Sequence, residues 1–117
     1  MIRYDNTASM NVVLGSKSII LQIIIPPSQH FKITGLANFV SNSNAWGSVY
    51  WTIDNNGMLL PFFGTLYDQL GTQNRPFEVN YDLTVDSGIV NVIGFNNYST
   101  VVGSIVGMGV RMVGVFI

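Results

Sequence analysis

The stretch Trp46-Gly47-Ser48-Val49-Tyr50-Trp51-Thr52-Ile53-Asp54-Asn55-Asn56-Gly57-Met58 carries the pattern that decides the fold. Trp46, Ser48, Tyr50 and Thr52 alternate with Val49, Trp51 and Ile53, a period of two that puts one set of side chains on each face of a strand. Asn56-Gly57 then supplies the residue pair that tolerates positive φ at both central positions of a two-residue turn, so the flanking segments should pair antiparallel. A helix would need apolar residues three and four apart, and no amphipathic helix of ten residues can be drawn anywhere in the chain.

The same period continues outward. Phe77, Val79, Tyr81 and Leu83 alternate with Glu78, Asn80 and Asp82. Boundaries come from turn chemistry at Gly15-Ser16, Pro26-Pro27-Ser28, Ser41-Asn42-Ser43-Asn44, Asn55-Asn56-Gly57, Asp86-Ser87-Gly88 and Asn96-Asn97. Between them lie strand candidates near residues 9–14, 18–25, 30–40, 46–54, 57–62, 76–83, 89–95 and 101–116. About eight short strands with no helix predict an all-β fold, an antiparallel β-sandwich of jelly-roll type, with an up-and-down barrel as second choice. Residues 1–17 read as an N-terminal arm and first strand, and 18–117 as the sandwich of a single domain. In the last strand Val106, Met108, Val110 and Met112 share the expected core face. Gly107 and Gly109 on the other face leave room for close approach by another group.

The chain has 117 residues, 48% of them hydrophobic, and a chain of that length buries roughly 65% of its unfolded surface, enough for one core without staples. That balance excludes disorder. Charged residues make up 9%, against about 25% in an ordinary soluble domain, so much of the surface is expected to be covered by neighbours. The five cations, Arg3, Lys17, Lys32, Arg75 and Arg111, are scattered and form no stripe for nucleic acid. The apolar run around Ile19–Ile25 is cut by Gln22 and ended by Pro26-Pro27, too short for the ~20 residues of a spanning helix. Cysteine is absent, which removes thiol catalysis and disulfides.

Catalytic and cofactor chemistry finds little footing, and no catalytic residue, metal ligand or cofactor is assigned. The single histidine, His30, has no partner implied by spacing. The carboxylates that could pair, Asp82 with Asp86 or Asp54 with Asp68, all sit beside turn residues, where a loop Asp accepts backbone N–H groups. Asp54-Asn55-Asn56-Gly57 looks like the opening of a calcium loop but has Met58 in the fifth position. The candidate functional residues are therefore those suited to contact with other chains. Trp46 and Tyr50 share a strand face, Phe63 and Tyr67 lie in the apolar-rich loop 62–75, Arg3 and Tyr4 lie in the arm, and Arg111 is on the glycine face of the last strand.

From Ile25 onward the layout runs through Pro26-Pro27, Gln29-His30-Phe31-Lys32-Ile33-Thr34-Gly35, an Asn/Ser loop, Tyr50-Trp51-Thr52-Ile53-Asp54, Asn56-Gly57 and Arg75-Pro76-Phe77. It closes with Val90-Asn91-Val92-Ile93-Gly94-Phe95-Asn96-Asn97 and the Gly-Ser-Ile-Val-Gly-Met-Gly-Val-Arg-Met-Val-Gly run. Over residues 19–117 this resembles the small β-sandwich virion proteins of bacteriophages, of capsid decoration, cement or head-fibre type, and more distantly their vertex proteins. The resemblance implies a non-enzymatic homo-oligomer on the capsid exterior, a trimer before a pentamer, that bridges subunits of the major capsid protein without binding nucleic acid. A receptor-binding module using Trp46, Tyr50 and Tyr67 on glycans, or a vertex (penton) protein, is the alternative.

Overall fold

In the computed structural model the described residues are 2–41, 49–60, 71–80, 82–97 and 105–117, and among them every regular element is a strand. In chain order these are β1 (Ile2–Val13), β2 (Lys17–Ile25), β3 (Phe31–Val40), β4 (Val49–Asn55), β5 (Met58–Leu59), β6 (Phe77–Glu78), β7 (Thr84–Val85), β8 (Gly88–Asn96) and β9 (Ile105–Phe116).

The Asn-Gly turn is the tip around which the rest of the chain is wound. Asn56 has φ 54° and Gly57 φ 86°, the positive pair such a turn requires, and Asn55 pairs with Met58 across it. Outside that hairpin, β3 pairs with β6 and β7, β2 with β8 and β1 with β9, every pair antiparallel. A first sheet has the order β1-β9-β3-β6, with β7 also on β3, and a second the order β2-β8-β4-β5. β6 and β7 are two touches of one interrupted strand on the same edge of β3, which restores eight strands, four per sheet. The chain changes sheet at every connection except the β4–β5 hairpin, which is the jelly-roll arrangement expected from the sequence.

The core lies between the sheets and follows the alternation. Trp51, Val49 and Ile53 of β4 are fully buried and belong to one apolar cluster with Phe31, Ile33 and Leu36 of β3 and with Val106, Met108, Val110 and Met112 of β9, the face assigned to the core. On the other face of β9, a Cβ at Gly109 would stand 2.1 Å from the Phe39 ring, so the glycine exists to seat a cross-strand aromatic.

Three expectations are corrected. The first strand starts at Ile2 instead of near residue 9, and of the stretch read as an arm and first strand, residues 2–13 are paired with β9. Ile2, Tyr4, Ala8, Met10 and Val12 alternate there with polar residues, an alternation interrupted by Asn6. Of the expected strand 76–83, the part regular among the described residues is Phe77–Glu78; the next contact with β3 is Thr84–Val85, and β3 shifts register between Ile33 and Gly35, opposite the gap between the two. Two backbone bonds lie at that gap, from Val79 N–H to the Thr34 carbonyl and from Ile33 N–H to the Leu83 carbonyl, both 2.9 Å. Of the strand expected at 57–62, Met58–Leu59 is regular among the described residues, and 61–62 lie outside them.

Asparagine amides, those of Asn96 and Asn55 buried, fix the corners. Asn96, fully buried, donates its side-chain N–H to the Val12 carbonyl at 2.7 Å, and its backbone carbonyl accepts from Gly15 N–H at 2.7 Å, clamping the β1–β2 turn to the end of β8. At the other end Asn55 accepts from Asp86 N–H at 3.0 Å, and Asn56 accepts from Ile89 N–H and donates to the Ser87 carbonyl, each at 2.9 Å. The stretch that resembled a calcium loop uses these amides as a clasp on the 86–89 turn.

Candidate functional site

The outward face of the second sheet is laid out in rows across β2, β8 and β4. Lys17 pairs with Phe95 and Phe95 with Tyr50; next come Ile19, Ile93 and Thr52; then Gln22, Asn91 and Asp54, extended by Leu59 on β5; then Ile24 and Ile89. A bulge between Ile19 and Leu21 sets this phase: it turns both Ile20 and Leu21 inward, so Gln22 and Ile24 face out while Ile23 and Ile25 are buried.

This face is apolar and open. Ile24 is 68% exposed, Leu59 63%, Ile19 49% and Ile89 41%, and Met58 at the sheet's edge is 76% exposed. Phe95 and Tyr50 stack with ring centres 4.8 Å apart and remain half-buried. The polar row across the middle is partly self-satisfied, with Gln22 donating to the Asn91 side-chain oxygen at 2.9 Å. Among the described residues of the face the charged ones are Lys17 and Asp54. The apolar surface turns the corner past Ile24 into a shallow groove of about 220 Å³ lined by Ile2, Ile24, Pro26, Gln29 and Phe116. Exposed apolar rows on both sides of a polar one, on a small domain, suit a contact surface.

The residues singled out from the sequence do not converge on one spot. Tyr50 is on this face. Arg3 and Arg111 are on the outer face of the first sheet, where Arg111 grips Asp5 by two hydrogen bonds of 2.8 and 3.0 Å and donates a third, of 2.6 Å, to the Gln73 carbonyl. Arg3 stands 3.8 Å from the same carboxylate. The hydrogen bonds from Arg111 hold the Asp5 carboxyl below its usual range and raise the Arg111 guanidinium in turn. Tyr4 turns inward, edge-on to Phe31 at 5.5 Å and to Phe116 at 6.1 Å, so it packs within the chain. Trp46, Phe63 and Tyr67 lie outside the described residues. His30 is exposed, with its Nε2 3.7 Å from Asp86.

A groove of about 380 Å³ beside Arg111 is lined by Arg3, Thr34 and Glu78 among others, and its mixed charges give it no preference for an anion. Among the described residues no three His, Asp or Glu side chains gather as a metal site. Sequence reasoning passed over Ile19, Ile24, Ile89, Ile93, Phe95 and Leu59. One signal was available: in Ile23-Ile24-Ile25 a period of two forces one isoleucine of the three outward.

No family model matches the chain, and no curated protein or solved structure matches it at a significant level.

Proposed function

We propose that this chain is a virion structural protein, a capsid decoration or cement subunit that self-associates on the capsid exterior and bridges neighbouring subunits of the major capsid protein. The observation that carries the reading is the outer face of the second sheet, where Ile19, Ile24, Ile89 and Leu59 stand exposed on adjoining rows with Lys17 and Asp54 as its charges among the described residues. Fully burying each such side chain is worth about 1.5–3 kcal/mol, so a symmetric assembly repeating the contact gains by multiplication what a single copy lacks. The jelly-roll order suits the role, because capsid domains are among its recurrent uses, and the sequence resemblance points the same way.

Two measurements test it. Light scattering on a sizing column, over a range of concentrations and at two salt strengths, is expected to give a closed oligomer insensitive to salt, as apolar contacts require. Sedimented particles of the virus that encodes the chain are expected to carry it in stoichiometric amount. A salt-independent monomer that is absent from particles overturns the reading. Glycan binding by that monomer would assign the face to receptor recognition instead.

A further inference from the structure

The first sheet ends on β1, and among the described residues no strand covers that edge. Among the described residues β1 pairs with β9 alone, over twelve residues without a bulge and without proline. Natural sheets blunt such edges with short strands, bulges, proline or inward-pointing charge. The opposite edges here do so, since β5, β6 and β7 have two residues each. β1 has none of these devices. Its charges, Arg3 and Asp5, are on the outer face, with Asp5 held by Arg111.

The inner side of β1 is also unfinished. Ile2, Tyr4, Asn6, Ala8, Met10 and Val12 share the core-facing side, yet only Val12 is buried, while Ile2 is 66% and Met10 40% exposed. The apolar layer thus runs past the last strand, as it would if one more strand were to follow.

We propose that this strand is β1 of a second copy, paired antiparallel across a two-fold axis near Thr7 or Ala8. The sequence of β1 fits its own antiparallel copy: both charges lie in its first half, and Thr7 to Val13 carries none. A two-fold axis at either residue sets the charged half of each strand against the neutral half of the other. An in-register parallel pairing would bring Arg3 to Arg3 and Asp5 to Asp5, which costs energy. With the axis at Thr7, Ile2 faces Val12 of the other copy and Tyr4 faces its Met10, covering the two exposed apolar residues. With the axis at Ala8, Tyr4 faces Val12 and Asn6 faces Met10. This contact rests on the reading of the chain as a self-assembling shell protein and supplies one of its joints.

Because the chain has no cysteine, single cysteines report the axis directly. Residues facing each other across an antiparallel pair have Cα atoms about 4.5–5.5 Å apart, within disulfide range. Asn6→Cys, Thr7→Cys, Ala8→Cys and Ser9→Cys would be oxidised and run on non-reducing gels, with Glu78→Cys on the opposite edge as control and circular dichroism verifying the fold of each. Thr7→Cys or Ala8→Cys is expected to give covalent dimer at least tenfold above Glu78→Cys, with yield falling on either side of the maximum. Dimer yields from all four folded β1 variants no higher than the control overturn the pairing. If the unmodified protein is then still an oligomer found in particles, the shell reading stands and only the strand contact is lost.

Discussion

The two outer faces of this sandwich are built from the same alternation and differ in what fills it. On the first sheet the outward positions of β1 are Arg3, Asp5, Thr7, Ser9 and Asn11, facing Val115, Val113, Arg111, Gly109 and Gly107 on β9. Arg111 ties β1 to the 71–75 segment through Asp5 and the Gln73 carbonyl, so that face completes its own polar contacts. On the second sheet the outward positions of β2 and β8 include Ile19, Ile24, Ile89, Ile93 and Phe95, and the polar row of Gln22, Asn91 and Asp54 crosses between them. One face is finished by the chain itself, whereas the other resembles an inner layer without its cover. The contrast locates the low charge content: it is concentrated on one surface, and that surface is where partners are expected.

The largest expected effect strikes what the two faces share. Trp51→Ala empties the fully buried centre of the core and should cost about 3–5 kcal/mol, lowering the melting temperature by more than about 10 °C. Hydrogen exchange in β8 and in β9 should rise together, as for one cooperative unit. Exchange that rises in one sheet alone would mean that the two faces belong to separate structures, and the comparison would lose its basis.

Next comes the pair that separates the faces. Ile24→Glu with Ile89→Glu should weaken self-association about 100-fold, the equivalent of two apolar anchors lost, while the melting temperature of the subunit stays within a few degrees. Lys32→Glu with Glu78→Lys on the first sheet is the matched control and should leave the native mass unchanged. A reversed outcome by light scattering would move the contact to the polar face.

Asn96→Ala acts where the sheets are joined. It strands the buried Val12 carbonyl and releases the β1–β2 turn, and should cost about 1–3 kcal/mol in urea unfolding. A neutral result would mean that the corner is held by the backbone bonds of Gly15 and Ser16 alone.

Most of this architecture was legible in the sequence because it depends on local rules. Asn56-Gly57 named its own turn, the alternation of β4 set Val49, Trp51 and Ile53 apart from Tyr50 and Thr52 without saying which set is inward, and the methionines of β9 declared the core side. What stayed hidden depends on the environment of the strand. β1 looked like an arm although Ile2, Tyr4, Ala8 and Met10 alternate with Arg3, Asp5, Thr7 and Ser9, because Asn6 interrupts the apolar side and its members are small or partly polar. The apolar outer face was concealed by the bulge at Ile20, which shifts the period within an almost continuous run of isoleucine. An isoleucine that faces a partner is also spelled like one that faces the core. For the site, Tyr50 was placed correctly on its strand face, but Tyr4 turned inward because Phe31 and Phe116, distant in sequence, form a receiving pocket.

The smallest effect concerns the polar face itself. Arg111 holds the Asp5 carboxyl below its ordinary value, so the native state retains the carboxylate where the unfolded chain would take up a proton. The contribution of this pair is therefore fully present above the unfolded pKa, about 4, and is lost as the pH falls through the lowered native value. Because the pair is exposed to solvent, the effect is small and weakens with salt. The difference in urea midpoint between the native sequence and Asp5→Asn should be greatest near neutral pH in low salt and should close below about pH 4. A difference independent of pH would show that the hydrogen-bond geometry, which Asn partly keeps, outweighs the charge. The polar face would then be held together by the shape of the Arg111 contacts, and its contrast with the apolar face would be one of hydrogen bonding more than of electrostatics.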